Sequence, residues 1–141
     1  MTKSSRQVVN KLTAKQIAII VNSVGGDVSV HEDKLVTLFG GLKALVTFNP
    51  KTHILFAQAR FKARGNLGLV NAWNRTKTFS RAYIDTNHDL VLEADINIIA
   101  GIPPETLRVW FASLKMSMMA FSKEVFKGDQ SKPSELSRLQ L

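Results

Sequence analysis

An α+β fold, with helices packed on one antiparallel sheet, follows from three patterns in this sequence. Apolar residues recur at helical spacing near both ends, in Ile17–Val24 and again from Leu107 to Val125. Between them lie short alternating or β-branched runs, separated by Gly, Pro, Asn and Asp. One further helical stretch, from Asn66 to Asn74, interrupts those runs. The expected order is α-β-β-β-α-β-β-α, with a weaker additional strand at Asp27–Val30.

The 141 residues are enough for one domain with a real core, and 45% hydrophobic against 21% charged is a globular balance. We place that domain at 13–127, between a flexible basic lead-in (1–12) and a flexible tail (128–141). No cysteine is present, which excludes a disulfide scaffold, thiol catalysis and cysteine-type zinc sites. Lys3 and Arg6 are followed by no apolar block, so a signal peptide is not expected. No apolar run approaches the roughly 18 residues of a membrane span. A cytoplasmic protein without membrane contact is the expectation.

The net charge of +8 is unevenly spread. From Gly40 to Ile84 there are eight bases and no acid, and Asp85 to Asp95 then holds four acids and no base. A basic field of this kind favours anionic partners, nucleic acid among them, although no nucleic-acid motif accompanies it.

Each element has a local cause. Thr13-Ala-Lys-Gln16 has the form of a capping box, Leu12 and Ile17 occupy the staple positions, and Gly25-Gly26 stops the helix. Lys34–Phe39 is strand-like, and Ala44–Phe48 with His53–Ala57 forms a hairpin through Asn49-Pro-Lys-Thr52. That hairpin is apolar on both faces, with Val46, Phe48 and Leu55 on one and Leu45, Ile54 and Phe56 on the other. Such a pair is expected to be covered twice, by helices and by a second subunit. Asn66 caps the middle helix, where Leu67, Val70 and Trp73 share a face.

In the next hairpin, facing residues must point the same way, which sets Asp85 opposite Asp89 around Thr86-Asn87-His88. Arg81 then opposes Glu93, Tyr83 opposes Val91 and Phe79 opposes Asp95, with Asn87 or His88 left-handed in the loop. The last helix opens at Pro103-Pro104 and is apolar nearly all round.

Asn71-x-Trp73-Asn74, then Phe79-x-Arg81-Ala82-Tyr83, then Asp89-Leu-Val-Leu-Glu-Ala-Asp95 together resemble the YbjN family of bacterial proteins. The resemblance covers about 13–127. That family is known as sensory transduction regulators and is similar in fold to type III secretion chaperones, which usually dimerise. It implies a non-enzymatic regulatory or chaperone-like module, a homodimer with an unidentified protein partner. This chain departs from the family in being basic rather than acidic, and in lacking glycine in the Asp85–Asp89 turn.

Candidate residues follow from this. Asn71, Trp73, Asn74, Arg81, Tyr83 and Glu93 carry the family motif and offer the Trp, Tyr and Arg enriched at protein interfaces. The two asparagines also suit satisfaction of backbone groups where helix becomes strand. Met116, Met119 and Phe126 are candidates for a dimer or packing face. His31, His53 and His88 lack ligand spacing, and neither a nucleophile elbow nor a phosphate loop occurs, so no catalytic, metal or cofactor site is expected.

Overall fold

Thr13 begins the first helix, α1 (Ala14–Ser23), by a closed capping box. Its hydroxyl accepts from the Gln16 N–H at 3.2 Å, and Gln16 Oε1 accepts from the Thr13 N–H at 2.8 Å. The computed structural model describes residues 8–31 and 34–127, with the backbone of 139–140. The lead-in up to residue 7, Glu32 and Asp33, and the tail apart from Leu139–Gln140 lie outside the described residues.

Four strands follow α1: β1 (Asp27–His31), β2 (Lys34–Phe39), β3 (Leu42–Asn49) and β4 (Ile54–Arg64). They form an antiparallel meander. The weakly alternating segment at Asp27–Val30 is thus a strand. Helix α2 (Leu67–Thr76) then carries the chain past β4 to the far edge, where β5 (Arg81–Ile84) lies. Strand β6 (Asp89–Asn97) returns between β4 and β5, giving the order β1-β2-β3-β4-β6-β5. The chain then enters α3 (Pro104–Val125), and the two-residue β7 (Leu139–Gln140) pairs with β4. The α+β order read from the sequence holds, with β1 as the additional strand.

The helices lie on one face of the sheet. Leu55, Ala57 and Phe61 from β4, with Leu90, Leu92 and Ala94 from β6, meet Phe111, Met118 and Phe121 of α3, all essentially buried. Phe121 stands edge-on to both Phe61 and Trp73, at centroid distances of 5.2 and 4.9 Å. The stripe Leu107, Phe111, Leu114, Met118, Phe121, with Trp110 beside it, is the part of α3 that reaches this core. No helix among the described residues is long and apolar enough to cross a membrane.

Two local expectations need correction. Strand β4 does not stop near Ala57 but runs through the basic Arg60–Arg64 stretch, because β6 pairs with it along nearly its whole length. Phe79 does not face Asp95, since the β5–β6 ladder begins at Arg81. Its ring packs instead against Trp110, 5.8 Å between centroids, where burial of an aromatic outweighs one more rung of ladder.

The register read for the second hairpin holds, with Arg81↔Glu93 and Tyr83↔Val91. The loop closes through the Asp85 N–H to Asp89 C=O bond at 2.9 Å. His88, at φ 65°, supplies the left-handed residue.

Candidate functional site: the open face of the sheet

Alternation along the strands sends a second set of side chains away from the helices. The pairings Val36↔Leu45, Leu45↔Gln58, Gln58↔Glu93 and Arg81↔Glu93 carry one continuous face across five strands. No described helix covers it. Toward β2 and β3 it is apolar, with Leu38, Leu45, Ile54 and Phe56 half-buried. Toward β5 it becomes a polar network. Among the described residues, the two-sided apolar hairpin therefore has helices on one side only.

Glu93 is the hub of that network. Its Oε2 accepts from the Tyr83 hydroxyl at 2.8 Å and from Gln58 Nε2 at 2.9 Å, while Oε1 lies 3.2 Å from Arg81 Nη2. Arg81 Nη2 also reaches Asp95 Oδ2 at 2.9 Å. Gln58 Nε2 stands 3.2 Å from the Tyr83 hydroxyl as well. Asp95, and secondarily Glu93, raise the Arg81 pKa above its ordinary value against the opposing effect of burial. Burial first, then the bond to Glu93, raises that of Tyr83.

Arg60 Nε lies 3.0 Å from Asp85 Oδ2, a contact of charge without hydrogen-bond alignment. Between Arg60 and Tyr83, and opposite both in register, sits Val91. It is fully buried although no described helix covers this face.

The structure divides the sequence motif between two sides of β5. Arg81, Tyr83 and Glu93 meet on the open face. Trp73 turns into the core, 4% exposed, with its ring N–H donating to Ser80 Oγ at 3.2 Å. Lys77 Nζ stands 5.3 Å from the centre of the same ring. Asn74 binds the outer edge of β5, donating to the Ala82 C=O at 2.9 Å and accepting from the Ala82 N–H at 2.8 Å. Asn71 is exposed on α2.

Met116 and Met119 border different clefts. Met116 is 65% exposed beside Trp73, Phe79 and Ser117, whereas Met119 borders a hollow of about 450 Å³ with Phe39, Lys115 and Lys123. Phe126 is half-buried at the end of α3.

Sequence reasoning missed Gln58 and the Arg60–Asp85 pair. The signal for Gln58 was the pairing of β4 with β6, a contact across 35 residues that no local pattern encodes.

The family model of YbjN, "Putative bacterial sensory transduction regulator", matches residues 34–127, which include β2 to β6, α2 and α3. The chain belongs to the YbjN family. Its structure is also similar to the crystal structure of YbjN from E. coli, described as a putative transcription regulator. The two align at a TM-score of 0.58 and 18% identity, over 84% of this chain and 94% of that one. At that identity the likeness speaks for the fold. A comparison with curated protein sequences finds no match. The YbjN match begins at Lys34, so α1 and β1 lie N-terminal to it.

Proposed function

We propose that this YbjN-family chain is a non-enzymatic regulatory module that binds a protein segment on the open face of its sheet and works as a homodimer. One observation carries the reading. Half-buried Leu38, Leu45, Ile54 and Phe56 share the face that no described helix covers with the Tyr83–Glu93–Arg81 network, an apolar patch with a polar rim. The family's description as regulators supports it. The charged groups of the rim are already bonded to one another, which suits recognition more than proton transfer.

A photo-crosslinker placed at Phe56 in the native cell, followed by mass spectrometry, tests partner binding. Adducts to a second protein or to a second copy are expected, and none above the level of an Ile19 control overturns the reading. Light scattering tests the assembly, and a strict monomer at tens of micromolar counts against the dimer.

Nucleic acid is a weaker reading, for a structural reason. Of the eight bases between Gly40 and Ile84, Arg60 and Arg81 already face carboxylates. Retention on DNA at low salt, lost steeply as salt rises, would favour it.

A further inference from the structure

Two turns built on glycine meet one flank of α3. Gly25 ends α1, and Gly40-Gly41 joins β2 to β3. Neither turn supplies a side chain to fill the space beside the stretch from Lys115 to Lys123, and the hollow of about 450 Å³ that Met119 borders lies between them. Its volume falls in the range of small-ligand sites, roughly 300–1,000 Å³. Phe39 and Leu42, paired in register at the end of the β2–β3 hairpin, line it with Met119 and are 2% and 7% exposed.

The polar side chains of the lining all come from α3. Ser122 brings a hydroxyl and is buried. Lys115 and Lys123 stand about 12 Å apart along the helix, at 1.5 Å of rise per residue. Lys123 is exposed, whereas Lys115 is half-buried. The Lys115 ammonium donates to the Val24 C=O at 3.2 Å, at the end of α1. Gly25 admits that head group, since a Cβ there would lie 3.0 Å from Nζ. This bond uses one of the three N–H groups of an ammonium. Among the described residues that line the hollow none is acidic.

We propose that the hollow binds the anion of a medium-chain fatty acid. The carboxylate accepts from Lys115 at the inner end, and the alkyl chain lies along Met119 against Phe39 and Leu42. Lys123 adds a second positive charge at the rim. A half-buried charge attracts a carboxylate more strongly than one in open water, and each buried methylene adds to the affinity. The site is on the helix side of the sheet, so it goes beyond the protein-binding reading and shares no residue with the open face.

Isothermal titration of the full chain with decanoate, kept below its micellar concentration, tests it. Saturable binding is expected, and from hexanoate to decanoate each added methylene should tighten it about two- to fourfold. With methyl-labelled methionine, decanoate should shift the Met119 resonance and leave Met116, which borders a different cleft, in place. Lys115→Met should weaken binding roughly tenfold, and Lys123→Glu, at an exposed position, about threefold or more. Lys62→Glu makes the same change of charge outside the hollow and should have no effect, as should Phe56→Asp. Absence of binding overturns the proposal, as does equal affinity for decyltrimethylammonium. A shift of Met116 as large as that of Met119 overturns it too, and so does an equal loss in Lys62→Glu or Phe56→Asp. Thermal melts of each variant confirm that a lost signal is not a lost fold.

Discussion

Asn74 uses its whole side-chain amide on one residue: it accepts from the N–H of Ala82 and donates to the C=O of Ala82. In doing so it imitates a neighbouring strand. Strand β5 is four residues long and stands at the edge of the sheet. Its outward backbone groups at Ala82 are thus satisfied by a side chain, which blocks one rung of intermolecular pairing at that edge.

Asn74→Ala should therefore destabilise the protein by about 1–3 kcal/mol, the cost of leaving part-buried polar groups unpaired. Asn74→Asp keeps the acceptor but sets a carboxylate against the Ala82 C=O. It should be less stable than Asn74→Ala at neutral pH and recover on acidification toward about pH 4. Chemical denaturation across pH separates the two.

The protein has one tyrosine, so the ionisation of Tyr83 can be followed directly. Burial and Glu93 raise its pKa. The phenolate absorbance should rise at higher pH in the folded protein than in the denatured chain. Since the folded value is the higher one, the stabilisation is complete below about pH 10, the unfolded value. It is lost as pH climbs through the folded value. In Glu93→Gln the absorbance step should move back toward its ordinary position.

Gly26 is fixed by contact rather than by dihedral angle. A Cβ there would lie 2.5 Å from Phe39 Cε1 and 2.8 Å from Val21 Cγ1, between two buried side chains. Gly26→Ala should cost about 1–3 kcal/mol by overpacking. Gly40→Ala, where nothing lies within 4 Å but φ is +63°, tests strain alone. Thermal melts of both variants should separate crowding from strain.

Phe56→Asp places a charge on the open face with no change to the helix side. Its stability should fall by about 1–3 kcal/mol, because part of a covered ring is lost and the new carboxylate faces Asp95 across the ladder. Association with itself or a partner should fall sharply in light scattering and crosslinking. A variant that assembles as the parent does would remove the open face from the binding surface.

Most of the fold was legible because its causes are local. The capping box at Thr13, the glycine stop and the 3–4 stripe of α3 need no distant information. The Arg81–Glu93 register follows from alternation within one hairpin. What escaped is non-local. The length of β4 depends on β6, which the chain makes some 30 residues later, and the same pairing brings Gln58 to Glu93. The Asn-x-Trp-Asn cluster reads as one site in sequence, but helical rotation sends Trp73 into the core, Asn74 to the β5 edge and Asn71 to the surface. The hub residue Glu93 was legible as the partner of Arg81, while its bonds to Tyr83 and Gln58 needed the assembled face.

The insertion of β6 between β4 and β5 has a consequence for biosynthesis. A ribosome delivers β1 to β4 as one meander, and then α2 and β5, before the strand that joins them. Until Asn97 has emerged, the long edge of β4 and the inner edge of β5 stand apart and unpaired. A nascent chain halted there would present an adhesive edge that the finished protein conceals. Strand β6, turned back at Asp85–Asp89, closes both edges at once, since it pairs with β5 on one side and β4 on the other.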